Sequence, residues 1–230
     1  MNFFDDIKKF DLSQKEVIGV DETGVGDFFT PLVACAVYLP NQLIDQVRLL
    51  GVRDSKKLTD KKIIQIANQL IDIVPFSSYV MTQNGYNTLS KNYNANELKF
   101  FTHASALANL HKFKPESHKA NLIIIDKYST TNSILNYHQK IFQFNNWSKL
   151  QELNLDTLLI NKAEDVHLAV ACASIIARYK LLEYMEKQQA EWSFTFPLGA
   201  SKAVKAKVRE FAETFGEDQL KTVCKMNFKM

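Results

Sequence analysis

The sequence predicts an α/β fold, a five-stranded mixed sheet flanked by helices, with further helices closing the C-terminus. Three observations carry this expectation. Short runs rich in β-branched and aromatic residues recur at 17–20, 32–39, 76–81, 121–127 and 155–160. Between and after them, apolar residues repeat at helical spacing. Several strand-like runs, NLIIIDK above all, are apolar throughout instead of alternating, which suits strands covered on both faces.

Composition bounds the class. The chain has 230 residues, 46% hydrophobic and 23% charged, values of a soluble globular protein with a substantial core. Asp, Lys or His interrupts every long apolar stretch, so a membrane-spanning helix is not expected. The N-terminal MNFFDDIKKF places acids where a signal peptide needs bases, and a cytoplasmic location follows as the expectation. Cys35, Cys172 and Cys224 are odd in number and widely spaced, a pattern of buried small hydrophobes and not of a disulfide framework or zinc site. Net charge is only +3, but lysines gather at Lys56, Lys57, Lys61 and Lys62, again over 112–119, and at Lys202, Lys205 and Lys207. Such patches suit a polyanion and equally suit solvated helix faces. No linker or repeat divides the chain, which predicts a lead-in over 1–16 and one domain over 17–230.

In order, Phe3, Phe4, Ile7 and Phe10 fall at roughly helical spacing and predict a small N-terminal helix. The first strand ends on Asp21 and Glu22, and a turn holding Gly24 and Gly26 leads to the second. Residues 42–50 read as a short helix. Thr59 is placed to N-cap the next one, whose apolar face is Ile63, Ile64, Ile66, Ala67, Leu70 and Ile71 and which Pro75 closes. Before it, Arg53-Asp54-Ser55-Lys56-Lys57 puts a hydroxyl and cations at a helix entrance, where phosphate binds readily. After the third strand, a helix over 95–111 buries Leu98, Phe101, Ala104, Leu107 and Leu110. Asn94, Asn96, Lys99 and His103 lie on or near another face, and His103 reads as a functional or a structural histidine with equal ease. The fourth strand ends on Asp126. The fifth leads to a long helix begun by Glu164 and Asp165, with Val166, Ala169, Val170, Ala173, Ile176 and Ala177 inward. From Trp192 follow the loop FPLGAS and two basic amphipathic helices.

Each acidic feature has an ordinary account alone: Asp21-Glu22 as the start of a polar turn, Glu164-Asp165 as compensation of a helix dipole. Together they place carboxylates at three element ends. If the first strand neighbours the fourth, Asp21 and Asp126 stand side by side and Glu164 closes the group. Four such carboxylates repel, and divalent cations relieve the repulsion. Two such ions can activate a water and stabilise the leaving oxygen of a phosphoryl displacement.

These residues resemble the type 2 ribonucleases H, and ribonuclease HIII more than HII. The resemblance rests on IGVDETGVGDFFTPLVACAVY, RDSKKLTDKK, GYN, NANELKFFTHASALANL, IIIDKY, KAEDVHLAVACASIIARYK, FPLGAS and FGEDQLKTVCKMNF, in the family's order over about residues 17–226. It implies a ribonuclease H-like fold and an endonuclease that cuts the RNA strand of RNA/DNA hybrids with Mg²⁺ or Mn²⁺, leaving 5′-phosphate and 3′-hydroxyl ends. Asp21, Glu22, Asp126 and Glu164 look like its metal-binding acidic quartet, with Asp165 as the runner-up for the last place. Gly24, Val25 and Gly26 match the loop whose amides approach ribose 2′-hydroxyls. Ser55 and Lys56 resemble phosphate contacts, and Asn94, Asn96, Lys99 and His103 a polar substrate-facing helix. The HII branch carries Gly-Arg-Gly where this chain has Val25, so runs of ribonucleotides are expected over single ones. Ribonucleases HIII generally carry an N-terminal domain of TATA-binding-protein-like shape. Sixteen residues precede the match here, so the expectation is a chain without that domain, bound weakly and salt-sensitively to hybrid, with a monomer as the default state. Two alternatives stand beside this reading: HII-like incision at single ribonucleotides in duplex DNA, and a non-catalytic hybrid-binding module.

Overall fold

The computed structural model describes residues 1–53, 55–144 and 146–227; Asp54 of the basic loop and Phe228 of the closing motif lie outside the described residues. The strands are β1 (Asn2–Phe4), β2 (Val17–Thr23), β3 (Leu32–Leu39), β4 (Phe76–Met81), β5 (Leu122–Asp126) and β6 (Asp156–Ile160). They form one sheet in the order β1-β6-β5-β2-β3-β4. The β2–β3 and β3–β4 pairs are antiparallel, and β2–β5, β5–β6 and β1–β6 are parallel. The helices are α1 (Ile44–Leu49), α2 (Asp60–Leu70), α3 (Gln83–Leu89), α4 (Ala95–Phe113), α5 (Thr131–His138), α6 (Ala163–Val166), α7 (Leu168–Trp192), α8 (Lys202–Phe215) and α9 (Glu217–Val223).

The apolar strands are covered on both sides, and the two-residue side-chain period sorts them into two cores. Val17, Val33, Cys35, Val37, Leu39, Leu122, Ile124 and Leu158 share one core with α2, α7 and α8. Ile18, Val20, Leu32, Ala34, Ala36, Tyr38, Ile123, Ile125 and Leu159 share the other with α4. The α7 helix lies across β2 and β3, and its run of buried alanines is what lets it do so. The approach is close: a Cβ on Gly19 of β2 would stand 2.2 Å from the carbonyl carbon of Ala169.

The expected neighbouring of the first and fourth sequence-predicted strands is observed as the parallel pair β2–β5. Three expectations are corrected. The sheet has six strands, because Asn2, Phe3 and Phe4 pair with Asp156, Thr157 and Leu158 as β1 instead of forming a helix. Phe3 then packs edge-on against Phe100 and His138, and Phe4 against Phe10; the pairing with β6 and the long-range contacts of Phe3 outweigh the local spacing. The lead-in thus contributes an edge strand to the same sheet. The long helix does not begin at Glu164: the chain makes the single turn α6, breaks at His167 in extended conformation, and restarts as α7. His167 Nδ1 accepts the Ala169 amide (3.2 Å) and caps the new helix. Finally, Ile64 and Val166 are exposed, 39% and 41%, and do not face the core.

Because the α7 backbone leaves no room, Gly19→Ala is expected to destabilise the protein by about 3 kcal/mol, the upper part of the range for forced overpacking. Gly26→Ala, whose Cβ would meet nothing within 4 Å, should cost under about 0.5 kcal/mol, as surface changes usually do. Urea unfolding of both variants checks this, and equal losses would contradict it.

Candidate active site

The parallel register of β2 and β5 ends on the pair Val20↔Ile125, so Asp21 and Asp126 occupy the next step on neighbouring strands. Strand alternation puts both on the face of the sheet that carries α7, since Val17 and Leu122, Ile124 lie there. Glu22, one residue on, falls on the face of α4. The two consecutive acids therefore straddle the end of the sheet.

Each acid is supported from its own side. On the α7 face, Ser174 donates a hydrogen bond to Asp21, and Lys56 contributes a favourable charge. Ser174 in turn shares a 2.7 Å hydrogen bond with Ser55, in the short 3-10 turn that precedes α2. Asp21, Glu22, Ser55, Lys56, Ser174 and Arg178 line a cleft of about 270 Å³, with Arg178 fixed bidentately on Asp60 (2.9 and 3.1 Å). Asp126 Oδ1 accepts the Ala163 amide (3.2 Å), which holds α6 and hence Glu164 against the end of β5. Glu164 is half-buried and its carboxylate makes no hydrogen bond or ion pair among the described residues; Asp165 is exposed.

On the other face, Lys99 Nζ (2.7 Å) and His103 Nε2 (2.8 Å), one turn apart on α4, both donate to Glu22, whose side chain is 12% exposed. The Lys99 ammonium also sits 4.4 Å above the Tyr128 ring, and the His103 ring meets Tyr128 edge-on. Among the described residues, the buried His103 Nδ1 and Tyr128 hydroxyl have no hydrogen-bond partner.

The electrostatics follow this division. Loss of solvent pushes the Asp21 carboxyl well above the carboxylate range and the adjacent Glu22 charge adds to it, with Ser174 and Lys56 opposing. Burial acts on Glu22 in the same sense, but His103 and Lys99 outweigh it and hold Glu22 below its ordinary value. Among the described residues, no three His, Cys, Asp or Glu side chains are grouped closely enough to hold a metal ion. Glu22 is turned to Lys99 and His103, and Asp126 to the Ala163 amide. The donor set fits a hard divalent cation: every candidate ligand is a carboxylate oxygen. A carboxyl whose ionised form lacks enough counter-charge, as Asp21 does, is one a cation stabilises.

The remaining candidates divide. Gly24 has φ +83°, and a Cβ there would stand 2.2 Å from the Pro31 carbonyl oxygen, so glycine is required; Gly26 is exposed and unconstrained; Val25 packs toward the α4 core. Asn94 is the N-cap of α4, its Oδ1 accepting the Asn96 and Glu97 amides in a reciprocal capping box, so its side chain is occupied there. Asn96 is half-buried in the first turn. Lys99 and His103 face an acid, and Ser55 reaches Asp21 through Ser174. Ser174 was not singled out in the sequence; a hydroxyl in an alanine run pressed on an acid-bearing strand was the available signal. Tyr128 lay inside a quoted motif but received no role.

Similarity to known proteins extends over nearly the whole chain. Residues 18–230 match the family model described as Ribonuclease HII. The chain is 33% identical over 222 residues to Ribonuclease HIII of Enterococcus faecalis, covering 95% of this chain and 68% of that protein. It is 35% identical over 218 residues to Ribonuclease HIII of Listeria monocytogenes, covering 94% and 68%. Among solved structures it is similar to Bst-RNase HIII in complex with Mn²⁺, with a TM-score of 0.85 and 31% identity over 95% of this chain and 68% of that one.

Two outcomes are expected. A carboxyl with a raised folded-state pKa costs stability as pH rises from the unfolded carboxylate value through the folded one. In EDTA, Asp21→Asn should therefore be more stable than the parent protein at alkaline pH and no more stable near pH 4, about the unperturbed value. Mn²⁺ should stabilise the parent and not the variant in thermal unfolding. Second, Lys99→Met should cost about 2 kcal/mol in metal-free protein, a typical charged hydrogen bond. Most of that loss should vanish in a Glu22→Gln background, as a urea double-mutant cycle would read.

Proposed function

The chain belongs to the ribonuclease HII family and is a ribonuclease H-type endonuclease, and from that premise we propose that it hydrolyses the RNA strand of RNA/DNA hybrids with divalent metal ions held by Asp21, Glu22, Asp126 and Glu164. The observation that carries the reading is that Asp21 and Asp126 stand on one face at the ends of neighbouring strands, with Glu164 brought up by the Asp126–Ala163 hydrogen bond. Mg²⁺ or Mn²⁺, as two ions when substrate is bound, would supply Lewis-acid stabilisation and an activated water for in-line displacement. Hydrolysis on the 3′-oxygen side leaves 5′-phosphate and 3′-hydroxyl ends.

The protein's own groups do the rest. Lys56, exposed at the cleft mouth beside Asp21, meets the substrate backbone as a point charge. Ser55 and Ser174 orient the Asp21 carboxylate. Lys99 and His103 offset the charge of Glu22 from the side away from the cleft, so four acids can share one end of the sheet. Gly24, Val25 and Gly26 offer backbone amides to ribose hydroxyls, the group that separates RNA from DNA. Val25, apolar and packed inward, contributes no cation to that loop, which fits preference for runs of ribonucleotides. No helix of the described residues is long and apolar enough to cross a membrane.

Cleavage of a hybrid labelled in its RNA strand, run in Mg²⁺ and in Mn²⁺ beside a duplex with one embedded ribonucleotide, tests the reading. Cutting of the hybrid is expected with at least one ion, and slower cutting of the second substrate. Asp126→Asn should lower the rate by at least about a hundredfold, a loss of about 2.7 kcal/mol in transition-state stabilisation, with far-UV circular dichroism unchanged. Hybrid binding without turnover in either ion would overturn the proposal in favour of a binding module.

A further inference from the structure

Two motifs of the sequence, GYN and the closing TVCKM, have no part in the chemistry above, yet they meet beneath the Gly24 loop. Lys225 is fully buried, although lysine rarely is unless its charge is paired. Its ammonium donates to the Gly24 carbonyl, lies 5.4 Å over the Tyr86 ring, and feels the Asp27 charge. Burial pulls its pKa down to about 8. Its own amide donates to the Phe28 carbonyl (2.9 Å), at the far end of the same loop. Asn87 secures the segment that delivers it: Asn87 Nδ2 donates to the Lys221 and Cys224 carbonyls (2.9 and 2.8 Å), and Asn87 Oδ1 accepts the Met226 amide (2.8 Å).

The orientation of one peptide follows. The Gly24–Val25 peptide is trans, no cis peptide being present among the described residues, and in a trans peptide the carbonyl and the following N–H point in opposite directions. With the Gly24 carbonyl turned down onto Lys225 and the Thr30 hydroxyl (3.3 Å), the Val25 N–H points up, to the solvent side on which Gly26 is exposed. We propose that Lys225 is a positioning residue that fixes the Gly24–Val25 peptide with its amide presented to the ribose of the bound strand. The proposal rests on the hybrid-cleaving reading for its substrate, but not for the clamp itself.

The test compares the parent with Lys225→Met, which keeps most of the stem and removes the ammonium. Expected are a KM for the labelled hybrid raised about tenfold, the equivalent of one strong contact, with kcat within about twofold. In the free, metal-free protein, amide hydrogen exchange over residues 23–28 should accelerate while the central strands are unchanged. The urea midpoint should hold or rise, because a buried charge has been removed. An unchanged KM with unchanged exchange at 23–28 overturns the proposal. So does a KM that rises only alongside a lower midpoint and faster exchange throughout the sheet, which marks a purely structural lysine. Should Lys225→Met not fold, Asn87→Ala, which releases the 224–226 segment, decides on the same readouts. If the parent fails to cut hybrid, the functional reading falls, and the exchange measurement still decides the clamp.

Discussion

The structure depends on a single pairing, β5 beside β2 in parallel, which delivers Asp21 and Asp126 to the same edge of the same face. Parallel strands buried on both sides are cheap to build from Val, Ile and Ala, but they end in a region of low polarisability. Two like charges about 4 Å apart at an effective dielectric of about 20 repel by about 4 kcal/mol. The surroundings answer that cost group by group. Ser174 and Lys56 lower the cost of ionising Asp21, the Ala163 amide takes one oxygen of Asp126, and Lys99 with His103 neutralises Glu22. The balance is incomplete at Asp21, and that incompleteness is the physical basis of the cation site proposed above.

The sheet also acts as a partition. Because side chains alternate, the adjacent acids Asp21 and Glu22 are served by different helices, α7 and α4. This changes the role of α4. Its polar positions read in sequence as a surface turned to substrate, whereas Lys99 and His103 are directed at an acid of the site and Asn94 at the helix's own first turn. A helix that holds an acid by two charge-assisted hydrogen bonds is a support whose register matters. Asn94 and Glu97 fix that register through the capping box.

The legibility of the chain follows the range of the forces involved. The five longer strands were readable because each is a short run rich in β-branched, aliphatic or aromatic residues, and Thr59 was readable as an N-cap because capping is local. The strand Asn2–Phe4 was not, since three residues gain strand structure only from β6, more than 150 residues away. Nor was the break at His167: the stretch around it has helical periodicity, and what ends α6 is the anchoring of Ala163 by Asp126 and the close contact of Ala169 with Gly19. In the site, Asp21 and Asp126 could be placed because acids at the ends of buried strands need a reason. The Ser55–Ser174 link could not, because it joins residues 119 apart through hydroxyls that have many local uses.

The Gly24 loop shows why such distant links matter. Phe28 and Phe29 are buried, yet the loop between them and Glu22 carries the exposed Gly26, so much of its backbone must be held by groups from elsewhere in the chain. Distant segments hold it: the Gly199 carbonyl accepts the Phe28 amide (3.2 Å), Gln83 and Gln188 both donate to the Phe29 carbonyl, and Lys225 reaches Gly24 from 201 residues away. An apolar residue at 225 would fill the same space at lower desolvation cost, but it would leave the Gly24 carbonyl with one donor fewer and its peptide freer to rotate. A buried lysine trades stability for direction. That trade is reasonable at a loop proposed to present one face of one peptide, and it ties that loop to the segment that follows α9.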